Sequence, residues 1–201
     1  MAQHSKEVIK EFETLCMWVH QSWQTRKCLF DNASNLAAFQ QPHYEHFFFR
    51  LHRITQEHWM QEVAKLHDPA SKPGHYNLSV NYIVECGDWD RDIKARPIGL
   101  HEKMLPFAMK MKSPRNKLTP HNDVSTILAA TELGKFDSGE DFEYFANLKA
   151  FLEIIVNTVL GEHFDYGNAV PADVDLFADA FNRGRIGAEA NHSRGEDDER
   201  R

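Results

Sequence analysis

The sequence predicts an all-α bundle of about five to six helices, and three observations carry that expectation. Apolar residues recur at spacings of three and four along most of the 201 residues, and no alternating run longer than four residues suggests a strand. Hydrophobic residues make up 42% of the chain and charged residues 26%, enough for a buried core and too apolar for a disordered polymer. Glycine, proline and polar clusters punctuate the periodic stretches at helix-length intervals.

The first helix is expected over residues 6–31, where Val8, Phe12, Leu15, Val19 and Trp23 form one stripe. Pro42 suits the first turn of the second helix, with Tyr44, Phe47, Phe48, Leu51, Ile54, Trp59, Val63 and Leu66 as its apolar residues. His67-Asp68-Pro69 stops it, with Pro73-Gly74 beyond. Asn77 is the expected N-cap of a shorter helix reaching Val84 or Cys86, which Gly87-Asp88 closes.

A fourth helix is expected from about Ile98 to Leu118 on Leu100, Met104, Leu105, Ala108 and Met111. Pro106 argues for a start nearer Leu105. After a polar stretch at 134–139, the last long helix covers 140–160, with Phe142, Phe145, Leu148, Leu152, Ile155 and Val159 at helical spacing. Residues 172–182 add a short helix. From Arg183 onward the apolar residues give way to Gly, Asn, Ser and mixed charge. The expectation is a single domain over 1–182 and a disordered charged tail over 183–201, because such a segment buries too little surface to offset its ordering entropy.

A formal charge of −7 excludes a uniformly basic nucleic-acid coat. The charge is uneven, however. Residues 91–117 carry eight cations against Asp92 and Glu102, a local +6 that leaves −13 for the rest. Such a segment attracts phosphates without making the whole protein basic. No apolar run approaches the roughly 18–20 residues of a membrane span, and the first residues lack the apolar stretch of a secretory signal. Cys16, Cys28 and Cys86 form no CxxC and cannot pair off completely, so neither a disulfide framework nor a cysteine zinc site is expected. Cys16 reads as core. The expected setting is a reducing cytoplasm.

Four Arg–His pairs in the chain have four to six residues between them, where about two arise by chance from 11 Arg and 12 His. Context separates them. Arg185/His192 lies in the expected tail, Arg53/His58 sits in a long amphipathic helix with Ile54 next, and Arg96/His101 is interrupted by Pro97. Only Arg115 is followed by Asn within a basic stretch, with His121-Asn122-Asp123 closing the segment.

With Arg-Asn-Lys-x-x-x-His-Asn-Asp at 115–123, Leu66-His67-Asp68-Pro69 and Asn77-Leu78-Ser79, the chain resembles the all-α HEPN superfamily. It is most similar to the AbiU-type abortive-infection branch, over roughly residues 10–160. The resemblance implies metal-independent RNA cleavage at a dimer interface, with Arg115 and His121 as the catalytic pair and Asn116 as the polar residue after the arginine. RNA is the implied partner, a homodimer the implied assembly, and an antitoxin or regulatory protein a further partner. One departure is Pro120, which biases Thr119 away from helix and shifts His121. The alternative is a catalytically silent HEPN-like module that binds RNA, a nucleotide or a protein.

These residue types suit RNA self-cleavage. Histidine moves protons near neutral pH, and arginine offers phosphate oxygens a planar fork of donors. Lys110, Lys112 and Lys117 are the expected RNA contacts beside them. Six residues of ideal helix turn through roughly 600°, which leaves Arg115 and His121 about 120° apart. Two protomers meeting at this segment relieve that separation. No metal and no cofactor is expected. His43 and His46 share a helix face, but Glu45 lies off it, and no HExxH, GxSxG or Gly-rich phosphate loop is present.

Overall fold

A computed structural model describes residues 5–32, 35, 37, 39–41, 43–87, 89, 91–118, 135–167 and 169–198, with the backbone course alone at 91–92, 113–118 and 185–198. The architecture is all-α. Helices α1 (Lys6–Phe30) and α2 (Glu45–Leu66) lead to a two-residue hairpin, β1 (Ser71–Lys72) and β2 (His75–Tyr76). Then follow α3 (Val80–Cys86), α4 (Arg91–Leu118), α5 (Glu140–Leu160) and α6 (Ala169–Asp198). The chain forms two compact units, Met1–Ser22 with Gln56–Tyr166, and Trp23–Thr55 with Gly167–Arg201.

Helix α1 starts where Ser5 Oγ accepts from the Val8 amide at 3.3 Å, which satisfies one of the first-turn donors. Its buried line is Ile9, Phe12, Cys16, Val19 and Trp23, a strict three–four alternation. The expected stripe is therefore rotated by one residue: Val8 is half-buried and Leu15 is 40% exposed. Phe12, Val19 and Trp23 belong to both stripes, so the pattern alone does not choose between them.

Two of the expected core residues of α2 face outward, Phe47 at 56% and Ile54 at 62% exposure. They stand seven residues apart on one line, while Trp59, Met60, Val63, Ala64 and Leu66 are buried. Pro42 lies outside the described residues. The helix stops after Leu66 as expected, and Pro73 with Gly74 at φ 88° turns the hairpin.

Ser79, not Asn77, caps α3, since its side chain accepts from the Tyr82 amide at 3.1 Å. Asn77 instead donates its side-chain amide to the Pro69 carbonyl at 2.7 Å. Helix α4 begins at Arg91, well before the expected start, and runs through Pro97, Pro106 and Pro114. Each proline removes a donor and crowds the preceding turn, at about 3 kcal/mol in an isolated helix. Burial of Met104, Phe107, Ala108 and Met111 offsets that cost. Leu105, expected in the core, is exposed, and Phe107 takes its place.

Helix α5 has the expected bounds, and Gly161, at φ 73°, closes it by donating its amide to the Asn157 carbonyl. Its buried residues include Tyr144, Phe145, Leu148, Phe151, Leu152 and Ile155, whereas Phe142 is 56% exposed. In the first unit α4 and α5 are the most extensively packed pair. In the second unit Leu29, Phe30, Phe39, Phe48 and Val174 form the core, with Tyr44, Leu51 and Phe181 against it. Helix α6 begins earlier than expected and places Pro171 in its first turn, where a missing donor is harmless. Its backbone continues as helix past Arg183 to Asp198. Phe181 is the last described side chain of α6 with a ring contact, edge-on to Phe39 at 5.5 Å.

Candidate functional site

Helix α4 carries the backbone of Arg115, Asn116 and Lys117 in its final turns. The side chains of these three residues, and the whole of His121, lie outside the described residues. The two remaining lysines have different surroundings. Lys110 reaches both carboxylate oxygens of Glu140 at 2.6 and 2.7 Å. Glu140 also accepts from the Asp137 amide at 2.8 Å. Lys110 first, then that amide, holds the Glu140 carboxyl below its ordinary range. Lys112 is half-buried, and its charge is felt by His67 and His101.

That histidine pair stands at the end of α2, with His67 buried and His101 half-buried. His67 is fully buried, its Nε2 lies 3.0 Å from the Tyr144 hydroxyl, and the His101 ring stacks on it at 5.8 Å. Burial foremost, then His101 and Lys112, pushes the His67 imidazole down to about 3. Burial lowers His101 too, partly opposed by Glu102 and Glu85. Burial thus disfavours the charged form of both rings. Burial likewise pushes the Tyr144 hydroxyl well up.

The structure brings together the two short motifs around this turn. Asn81 donates to the His67 and Asp68 carbonyls, both at 3.0 Å, while Asn77 bonds Pro69 by its side chain and Ala70 by its amide. Leu66-His67-Asp68-Pro69 and Asn77-Leu78-Ser79 thus form one clasp. It locks the exit of α2 to the entry of α3.

Of the other Arg–His pairs, Arg185 and His192 have no described side chain. Arg96 and His101 are about 140° apart on α4, and His101 goes to the buried pair. The His58 ring meets Trp18 edge-on at 6.4 Å. Sequence reasoning passed over Arg96 and Lys103 as site residues. Both are exposed and without an ion-pair partner among the described residues, and both line a groove between α4 and α5. Their visible signature is the recurrence of Arg96, Lys103, Lys110 and Lys117 every seven residues. No group of three or more His, Cys, Asp or Glu able to hold a metal is found among the described residues, nor a helix long and apolar enough to cross a membrane.

The described residues thus form an all-α chain whose long basic helix carries Arg-Asn near its end. The model of the AbiU2 family of HEPN domains matches residues 3–177, and the chain belongs to that family. No curated protein and no solved structure gives a significant match.

Proposed function

We propose that this chain is a metal-independent endoribonuclease, a toxin or antiphage effector, whose site forms from Arg115, Asn116 and His121 at the interface of a homodimer. The observation that most supports this reading is the Arg-Asn-Lys-x-x-x-His-Asn-Asp run at 115–123, standing inside the span that the family model matches. The RNA 2′-OH attacks the adjacent phosphorus, the bond to the 5′ oxygen breaks, and a 2′,3′-cyclic phosphate and a 5′-OH result. His121 exchanges the protons of the attacking or leaving oxygen. The Arg115 fork stabilises the charge that builds on the non-bridging oxygens, and Asn116 orients the phosphate or the imidazole. Lys112 and Lys117 add positive potential. Lys110 contributes only in competition with its ion pair to Glu140.

The test is cleavage of single-stranded RNA by the purified chain. Cleavage that persists in EDTA and leaves 2′,3′-cyclic ends is the expected result. His121→Ala and Arg115→Ala are each expected to lower the rate by about 10²–10⁴-fold, whereas His58→Ala leaves it unchanged. Sedimentation is expected to show a dimer at micromolar concentration. Activity that survives His121→Ala but is lost to chelation overturns the reading. RNA bound and never cut assigns the chain to the silent class, with Pro120 before His121 as the feature that favours it.

A further inference from the structure

Helices α4 and α5 run antiparallel. Lys110, late in α4, pairs with Glu140 at the start of α5, while Arg96 and Lys103, early in α4, lie across from Asn157 and Thr158 near the end of α5. At that second end the two helices leave an open groove of about 750 Å³. Gly99 lies on its α4 side, and a Cβ built there meets nothing within 4 Å, so the groove is open over the helix backbone. Leu100 and Ile154 supply apolar wall, and Asn157 and Thr158 supply hydrogen-bonding groups. The one carboxylate in the lining, Glu153, faces His163 at 3.4 Å. Arg96 and Lys103 make no ion pair among the described residues.

We propose that this groove is a subsite for single-stranded RNA, which holds backbone phosphate between Arg96 and Lys103, away from the bond that is cut. The proposal rests on the ribonuclease reading above and names where its substrate runs. Three features favour it. The groove is of a size that accepts a nucleotide. Its lining carries two cations, Arg96 and Lys103, against one carboxylate, Glu153, and a guanidinium and an ammonium from points about 10.5 Å apart on one helix face reach one phosphate or two successive ones. The line Arg96, Lys103, Lys110, Lys117 then leads along α4 into the 115–123 run, with Arg115 about 28 Å from Arg96 along the axis. A positive track of this kind is what a flexible RNA chain follows. Lys110 is already neutralised by Glu140, which concentrates the free charge of the described part of the line at the groove.

The experiment uses the 201-residue His121→Ala chain, so that RNA stays uncut, and a fluorescent single-stranded RNA of about twelve nucleotides, within the usual span of such sites. Lys103→Glu is compared with Lys94→Glu, which makes the same charge change about 160° around the same helix from Arg96. Gly99→Leu fills the groove without changing charge. Circular dichroism checks that each variant keeps its helix content. Lys103→Glu is expected to weaken RNA binding about fivefold to tenfold, and to reduce the salt slope by about 0.7 for each phosphate that is no longer neutralised. Gly99→Leu is expected to weaken binding at an unchanged slope, and Lys94→Glu by less than about twofold.

Equal effects of Lys103→Glu and Lys94→Glu overturn the subsite, since diffuse charge then accounts for binding. So does AMP binding that depends on Lys103 while RNA affinity does not, which assigns the groove to a free nucleotide. Unchanged RNA affinity with loss of self-association in Lys103→Glu also overturns it and assigns the groove to a second copy of the chain. The cleavage reading is judged separately, with His121 restored. RNA cut normally by a Lys103→Glu chain that also binds it normally removes the groove and leaves the nuclease standing. A wild-type chain that binds RNA through Lys103 but never cuts it removes the nuclease and leaves the groove.

Discussion

The two compact units solve the burial problem differently. The second has a small core dominated by large rings: Phe39 stacks on Phe48 with centroids 3.8 Å apart, and Phe181 lies edge-on to both. The first mixes aliphatic and aromatic residues with buried polar groups, among them His20, which stacks on Tyr166 at 3.6 Å, and His67, bonded to Tyr144. A core of a few big rings is sensitive to the loss of any one of them. A core that encloses neutral imidazoles is sensitive to acid.

The strongest way to break this contrast is Phe39→Ala. Phe39 is almost fully buried and touches Phe30, Phe48 and Phe181. Its truncation is expected to cost about 3–5 kcal/mol. Hydrogen exchange should show the loss in residues 23–55 and in the packed part of α6. Equal loss of protection in α5 would show that the units unfold as one and would remove the distinction.

A smaller effect is expected with pH. His67 and His20 are held at about 3 and about 4, well below the free value near 6.5, by burial first, with Lys149 adding to the shift at His20. A histidine lowered in the folded state binds fewer protons there than in the unfolded chain. The stability from His67 is therefore complete above pH 6.5 and is lost as pH falls toward about 3, at about 1.4 kcal/mol per pH unit. Denaturant titrations between pH 6 and 4 should show a slope to which both His67 and His20 contribute, and His67→Gln should reduce it. An unchanged slope in that variant would clear His67 of the acid sensitivity.

The smallest effect sharpens the account of the helix faces. Ile54, apolar by type and exposed in α2, is expected to tolerate Ser with a change within about 0.5 kcal/mol. A loss of 2 kcal/mol or more would place it in an interface that the single chain leaves open.

The catalytic run of the candidate site is a reading of the sequence, since the side chains of Arg115, Asn116 and Lys117 and the whole of His121 lie outside the described residues. The 115–123 run stands out because chemistry-bearing residues cluster there within a basic stretch, and the family match includes it. The groove was not legible, because Arg96 and Lys103 become neighbours of Asn157 and Thr158 only when α4 and α5 pack antiparallel. Nor was the different fate of Lys110. Its partner Glu140 is thirty residues away, and nothing in the local sequence of either announces the pair.

By itself the sequence determined the all-α class, the stop after Leu66, the bounds of α5 and the burial of Phe12, Cys16, Val63, Leu148 and Ile155. Helical period and glycine or proline breaks act over a few residues, so the chain states them locally. Only the tertiary structure decided that Ile9 rather than Leu15 enters the core, that α4 continues through three prolines, and that Ser79 rather than Asn77 caps α3. In each case two local solutions lie within about 1–3 kcal/mol of each other. The difference is settled by what packs against them: the surface that covers one stripe of α1, the side chains buried around Pro106, and the Pro69 carbonyl that claims Asn77.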